Sequence, residues 1–182
     1  MVKNFNLKKI VYLGIGTNKG NREKNISLAL ELLSENPQIE ILKLSNLLKN
    51  PPQEGVKTGY FLNGAIKILT TLTPQELLRL CKTIERKLGR KQRQEARSMK
   101  QEARSKKQEK KINKPRTIDL DILFYGEEII DTDELVIPHP MIAKRYFVLI
   151  PLLEIAKSFI HPVYEKNIRE LYSEYCEELE IA

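Results

Sequence analysis

The order of elements legible in this chain predicts an α+β sandwich of the ferredoxin-like kind. Strand, helix, strand, strand, helix and strand follow one another, with helices on one face of an antiparallel sheet and a C-terminal extension. Three observations carry that expectation. "KIVYLGIGTN" and "YFLNGAIKILTT" alternate and are rich in β-formers. The segment from Thr73 to Gly89 repeats apolar residues at helical spacing. "PRTIDLDILFYG" alternates Ile118, Leu120 and Ile122 with two aspartates, Asp119 and Asp121, so aliphatics share one face and acids the other.

Each element has its own warrant. The first strand runs from Lys9 to about Gly16 and stops at glycines. A helix begins near Asn21, its stripe formed by Ile26, Ala29, Leu30 and Leu33, and Pro37 ends it. "IEILKLSN" is the second strand, followed by a loop holding Pro51, Pro52, Gly55 and Gly59. In the second helix Thr73 is the cap, Pro74 suits the first position and Glu76 completes a capping box. Leu77, Leu80, Cys81, Ile84 and Leu88 form its stripe, and Gly89 is expected to close it. "LVIPHPMIAKRYFVLIPLLEIA" is expected to give a loop, a short helix and an apolar segment, and a last helix near Asn167 to Leu179 to close one side.

At 182 residues, 41% hydrophobic and 30% charged, the chain suits one domain with a sizeable core. The longest apolar stretch, "YFVLIPLLEIA", is interrupted by Pro151 and Glu154 and falls short of a membrane span. The basic, then apolar N-terminus has an apolar part at the short limit for a signal peptide and no small-x-small cleavage site after it, so it is taken as the first strand, with the cytosol as the expected compartment. Cys81 and Cys176 lie in no metal or redox spacing, and Cys81 falls on an apolar stripe as a core thiol.

The net charge of +7 invites a nucleic-acid partner. Its location argues otherwise. From Arg90 to Arg116 there are twelve Lys and Arg against three Glu, a local +9, so the remainder carries 7 − 9 = −2. That segment repeats "QEARSMK" and "QEARSKK" from Gln94 to Lys107, with no large aliphatic at any repeated position, so it is no coiled coil. It is expected to be a solvated insertion at about 91–113 with transient helicity. A nucleic-acid module would want exposed aromatics on its central strands and has no use for paired carboxylates facing phosphates.

On a strand, Asp119 and Asp121 lie about 6.6 Å apart and point the same way. Hard cations such as Mg²⁺ take a few carboxylates plus substrate phosphates. On spacing alone a solvent-facing pair balanced by Arg116 is as good a reading; the company of "IPHP" and Arg145 tilts it towards phosphate chemistry. His139, stiffened by Pro138 and Pro140, suits a phosphate contact or general-acid role, whereas His161 is taken as a surface residue. Arg90, Arg116 and Arg145 suit bidentate phosphate contacts. "GIGTNKGN" lacks both the dinucleotide fingerprint and the P-loop ending, so a tight turn and helix entry account for it.

Together, "LGIGTNKGNREKNISLAL", "NPPQEG", "YFLNGAI", "LTPQELLRLCKTIERKLGR", "PRTIDLDILFYG" and "LVIPHPMIAKRYFVLIPLLEIA" resemble the 6-hydroxymethyl-7,8-dihydropterin pyrophosphokinases of folate biosynthesis, in order, from the first strand to about Pro162. The resemblance implies transfer of pyrophosphate from ATP to the pterin alcohol with release of AMP. It implies that Asp119 and Asp121 bind two Mg²⁺ ions. It places Asn63, the Phe61–Phe147 pair and the segment with Asn50, Pro51 and Pro52 around the pterin, and Glu85, Arg90, Arg116, Ile122, His139 and Arg145 around the nucleotide. ATP and the pterin are the expected partners of a monomer, with neither membrane nor nucleic acid. The chain departs from the family in the lid before Pro115: it has no Trp, and Asn113 and Lys114 stand where the family carries Trp-Gly. Arg93 and Arg97 are equally placed to serve as lid arginine.

Overall fold

A computed structural model describes residues 7–51, 59–99 and 116–181. Strand β1 (Lys9–Thr17) pairs antiparallel with β4 (Phe61–Thr70) on one side and with β5 (Asp119–Tyr125), an edge strand, on the other. β2 (Ile39–Leu44) and β3 (Leu48–Asn50) run one after the other along the outer edge of β4, giving the order β2-β4-β1-β5. This is the expected α+β arrangement. β3 is an addition to it: Asn50, expected in a loop, is a strand residue opposite Phe61. Between β2 and β3, Ser45 Oγ accepts from the Ala65 N–H at 2.9 Å and stands in for a ladder carbonyl.

Helices α1 (Arg22–Ser34) and α2 (Pro74–Met99) cover one face. Ile26, Ala29 and Leu33 of α1 and Leu77, Cys81, Ile84 and Leu88 of α2 pack on Val11, Leu13, Ile15, Leu120 and Ile122. Each such aliphatic, taken fully out of water, contributes roughly 1.5–3 kcal/mol. Asn21 caps α1 by accepting from the Lys24 N–H, and the Thr73–Glu76 capping box forms at α2. The expected stop at Gly89 is corrected: α2 runs through it to Met99, because a glycine without a left-handed φ or a following breaker does not end a helix whose next residues favour helix. The first part of the basic repeat therefore extends α2, and the rest of it lies outside the described residues.

The two helices of the expected sandwich share one face, and the C-terminal extension covers the other. α3 (Tyr146–Ala156) and α4 (Ile168–Ile181) cover the opposite face, where Leu149, Leu152, Ile155, Ile168 and Leu171 enclose Tyr12, Ala65 and Phe124. The central strands carry apolar residues on both sides, so both need cover. The expected apolar segment is helical throughout, α3 taking in all of it with Pro151 inside. An Asn167–Glu170 capping box opens α4. A small hairpin, β6 (Ile130–Asp131) and β7 (Val136–Ile137), and a 3-10 turn (Ile142–Lys144) connect β5 to α3.

One irregularity in β5 sets the direction of its acids. The pairing with β1 slips between Tyr12–Phe124 and Leu13–Ile122, leaving Leu123 as a bulge residue. After the slip Phe124 faces the α3/α4 side; before it, Asp119 and Asp121 face that same side while Leu120 and Ile122 face α1 and α2. Without the extra residue the two acids would point into the α1/α2 core.

Candidate active site

A cavity of about 180 Å³ lies on the α3/α4 side of the sheet, where those helices leave the strand ends uncovered. Its floor is β1, and that floor is low because Gly14 and Gly16 present no side chains to it. Gly16 pairs with Asn63 on one flank and with Asp119 on the other. Adjacent strands are about 4.8 Å apart, so the amide and the acid stand roughly 10 Å from each other across an open glycine rung. A flat bicyclic ring and its substituent span such a distance. The sequence had suggested only a turn for these glycines; a pair at i and i+2 in a strand, on the polar face, was the signal for a floor.

On the acid flank, Arg116 donates to Asp119 at 2.5 Å. Burial, and then the Asp119 charge beside it, push the Asp121 carboxyl above the usual carboxylate range. Glu85 of α2 adds a third carboxylate behind the strand: it accepts from the Leu120 N–H at 2.9 Å, between the two aspartates, and is paired with Lys82. Its own carboxyl is raised, mainly by burial. Among the described residues no three acids, histidines or cysteines form a complete metal cage. Two neighbouring carboxylates facing a cavity suit a hard cation that takes its remaining ligands from phosphate and water.

His139 lines the same cavity. Its Nδ1 accepts from the Met141 N–H at 3.1 Å, which leaves the neutral ring's proton on Nε2 as a donor. Burial lowers its pKa, with Asp121 opposing and the Arg145 charge adding to the decrease. A neutral donor fits it better than a cationic acid. Arg145, over the Phe147 ring at 5.7 Å, has a buried Nε–H without an acceptor among the described residues. Such a donor is costly to leave unpaired and suits an anionic oxygen.

On the other flank stand Phe61, Asn63, Asn50 and Phe147, the last from α3. Phe61 and Asn63 have the same parity on β4, so both reach the cavity. The expected residues Phe61, Asn63, Phe147, Arg116, Asp119, Asp121, His139 and Arg145 are thereby brought together. Others are not. Ile122 lies in the core on the α1/α2 side, and Glu85 meets the strand from behind. Pro51 is exposed and offers its carbonyl to Asn50. The side chain of Arg90 and all of Pro52 lie outside the described residues.

Sequence reasoning missed Asn18. It lines the cavity, and its Oδ1 accepts from the Arg116 N–H at 2.7 Å while its N–H donates to the Arg116 carbonyl. Thr17 Oγ donates to the Thr117 carbonyl and accepts from Asn25. These buried polar contacts staple the end of β1 to the approach to β5 and so aim Arg116. A Thr-Asn dipeptide at a strand end was the only trace of it. His161, expected at the surface, is 3% exposed: its ring packs on Phe124 and stacks on Tyr164, and Nδ1 accepts from the Val163 and Tyr164 N–H groups.

An α+β sandwich whose open cavity joins an acid pair, arginines and an aromatic-lined amide suits the binding of an anionic group beside a flat ring. Comparison with known proteins makes that specific. The model of the family "7,8-dihydro-6-hydroxymethylpterin-pyrophosphokinase (HPPK)" matches residues 12–157, and the chain belongs to this family. It is 40% identical over 164 residues to the 2-amino-4-hydroxy-6-hydroxymethyldihydropteridine pyrophosphokinase of Aquifex aeolicus, covering 90% of this chain and 91% of that protein. It is 36% identical over 151 residues to the Bacillus subtilis enzyme of that name, covering 83% and 80%. In fold it is similar to Plasmodium falciparum HPPK-DHPS crystallised with pterin and p-hydroxybenzoate (TM-score 0.67, 18% identity), covering 97% of this chain and 45% of that one. The activity is transfer of pyrophosphate from ATP to 6-hydroxymethyl-7,8-dihydropterin, with release of AMP, in folate biosynthesis.

Proposed function

We propose that the cavity over Gly14 and Gly16 is where this transfer occurs, with the pterin on the Asn63 flank and the ATP phosphates on the Asp119 flank. The observation that carries the reading is the shared rung: Asn63, Gly16 and Asp119 stand side by side across three strands. Phe61 and Phe147, from a strand and a helix, hold the ring by its faces. Asp119 and Asp121 would hold two Mg²⁺ ions, which would supply neutralisation of phosphate charge.

The chain's own residues do the rest. Arg116, aimed by Asn18, and Arg145, with its unpaired Nε–H, donate to phosphate oxygens. His139 donates from Nε2. Glu85 holds the β5 backbone between the aspartates. The pterin hydroxyl is placed for in-line attack on the β-phosphorus, which asks the protein for positioning and charge neutralisation. Residues 1–182 act as one pyrophosphokinase domain, a cytosolic monomer, carrying the basic insertion at about 91–113. The same rung explains the chemistry without recourse to nucleic acid.

The test is AMP release from ATP, Mg²⁺ and the pterin by Asp119→Ala and Asp121→Ala. Each is expected to lose at least a hundredfold in kcat, the scale seen when one transition-state contact is removed. Full rates in both variants would overturn the assignment of the acids. Asn63→Ala is expected to raise the pterin KM and leave the ATP KM unchanged.

A further inference from the structure

Asn63 does not set its own orientation; the Pro51 carbonyl sets it, through Asn50. A carbonyl can only accept, whereas an amide has a donating and an accepting end. Asn50 Nδ2 donates to the Pro51 carbonyl at 3.2 Å, which turns Asn50 Oδ1 the other way. That oxygen accepts from Asn63 Nδ2 at 2.5 Å. Asn63 Oδ1 is therefore the end presented over Gly16, where a Cβ would stand 2.5 Å from it. Turning the Asn63 amide over would bring two oxygens face to face in the Asn50–Asn63 contact. Asn50 has little freedom to yield, since it is 5% exposed and paired with Phe61 at the end of β3.

We infer that Asn50 is a specificity-determining positioning residue: it locks the Asn63 amide so that the cavity offers an acceptor oxygen to the ring edge, and Gly16 supplies the space for that oxygen. An acceptor there selects the ligand class: a flat heterocycle with an N–H donor on that edge binds, and one with only acceptors there is rejected. This rests on the reading that Asn63 meets the pterin.

The experiment is steady-state AMP release with the full chain, using the pterin and two analogues that each remove one donor from its edge, the 2-deamino and the O4-methyl compounds. The wild type is expected to lose at least tenfold in kcat/KM on one of them. Asn50→Leu is expected to raise the pterin KM about tenfold, leave the ATP KM unchanged, and shrink that analogue penalty below threefold, because the freed amide can turn. Asn50→Asp, which keeps the accepting oxygen, is expected to restore the penalty. Gly16→Ala, which pushes Oδ1 from its place without touching Asn50, is expected to raise the pterin KM similarly and carries the test if Asn50→Leu does not fold. A purely structural role would lower the melting temperature and leave the ratio between substrates as it was. Wild-type discrimination in folded Asn50→Leu or Gly16→Ala, with Asn63→Ala still raising the pterin KM, overturns this inference alone. A wild-type pterin KM in Asn63→Ala overturns the underlying reading of the cavity and this inference with it.

Discussion

His139 and His161 are each followed by proline, and the fold puts them to opposite uses. His139 borders the cavity between Asp121 and Arg145. His161 fills a gap between Phe124 and Tyr164, and burial holds its pKa down to about 4. A histidine depressed in the fold favours the neutral form, so its contribution to stability is present above pH 6.5 and is lost as pH falls towards 4. That loss is expected to be on the order of 2–3 kcal/mol. His161→Asn, whose Oδ1 can take the same two backbone N–H groups, is expected to remove most of this pH dependence without moving the AMP-release rate at pH 8. Urea unfolding at pH 7 and pH 4.5 checks it; an unchanged difference between the two pH values counts against the role. Cys81, by contrast, is where the sequence placed it: fully buried on the α2 stripe, its thiol pushed up to about 12, mainly by burial. A residue on a periodic stripe declares its environment; a residue in a loop does not, since no repeat says which way the loop turns.

Among the elements, α2 holds the plainest disagreement between sequence and fold. Gly89 reads as a C-cap and is an interior helical residue with open space where a Cβ would be. Gly89→Ala is therefore expected to stabilise the protein by about 0.5–1 kcal/mol, seen as a melting temperature higher by roughly 1–4 °C. A decrease would show that the helix needs the glycine for some other conformation. Deleting Gln94 to Lys107 tests the same helix further along. Among the described residues its core side chains end at Leu88, so the melting temperature is expected to change by no more than about 2 °C, the range of surface changes. A collapse of the transition would mean that the repeat packs on the body of the protein. β5 shows the reverse case, an element present as expected but decided by one irregular residue. Parity alone places Asp119 and Asp121 together; only the bulge at Leu123 directs them to the cavity instead of the helix-covered core.

For the molecule as a whole, the cavity's walls belong to different elements: Phe61 and Asn63 to β4, Phe147 and Arg145 to the start of α3, the acids to β5. A ligand that touches all three cross-links them, and binding only the native state stabilises it by about 2.7 kcal/mol at a hundred times Kd. A non-hydrolysable ATP analogue with Mg²⁺ is expected to raise the melting temperature by roughly 5–10 °C. Asp119→Ala, or EDTA, is expected to remove most of that shift while a shift from the pterin alone remains. Loss of both shifts together would argue that Asp119 supports the cavity as a whole, not the cation. No helix among the described residues is long and apolar enough to cross a membrane.

By itself the sequence determined the element order, the helix caps at Asn21 and Thr73, the α2 stripe and the pairing of Asp119 with Asp121. These rest on local chemistry and on periods of two and 3.6 residues that a chain carries along its length. It also held enough ordered motifs to resemble its family. The tertiary structure decided what no period encodes. It put α3 and α4 on the second face, it buried His161, and it made Gly14 and Gly16 a floor by laying β1 between β4 and β5. It also turned the Asn63 amide through Asn50 and the Pro51 carbonyl. Each depends on contacts between segments distant in sequence, where space and hydrogen-bond partners are shared out only once the layers meet.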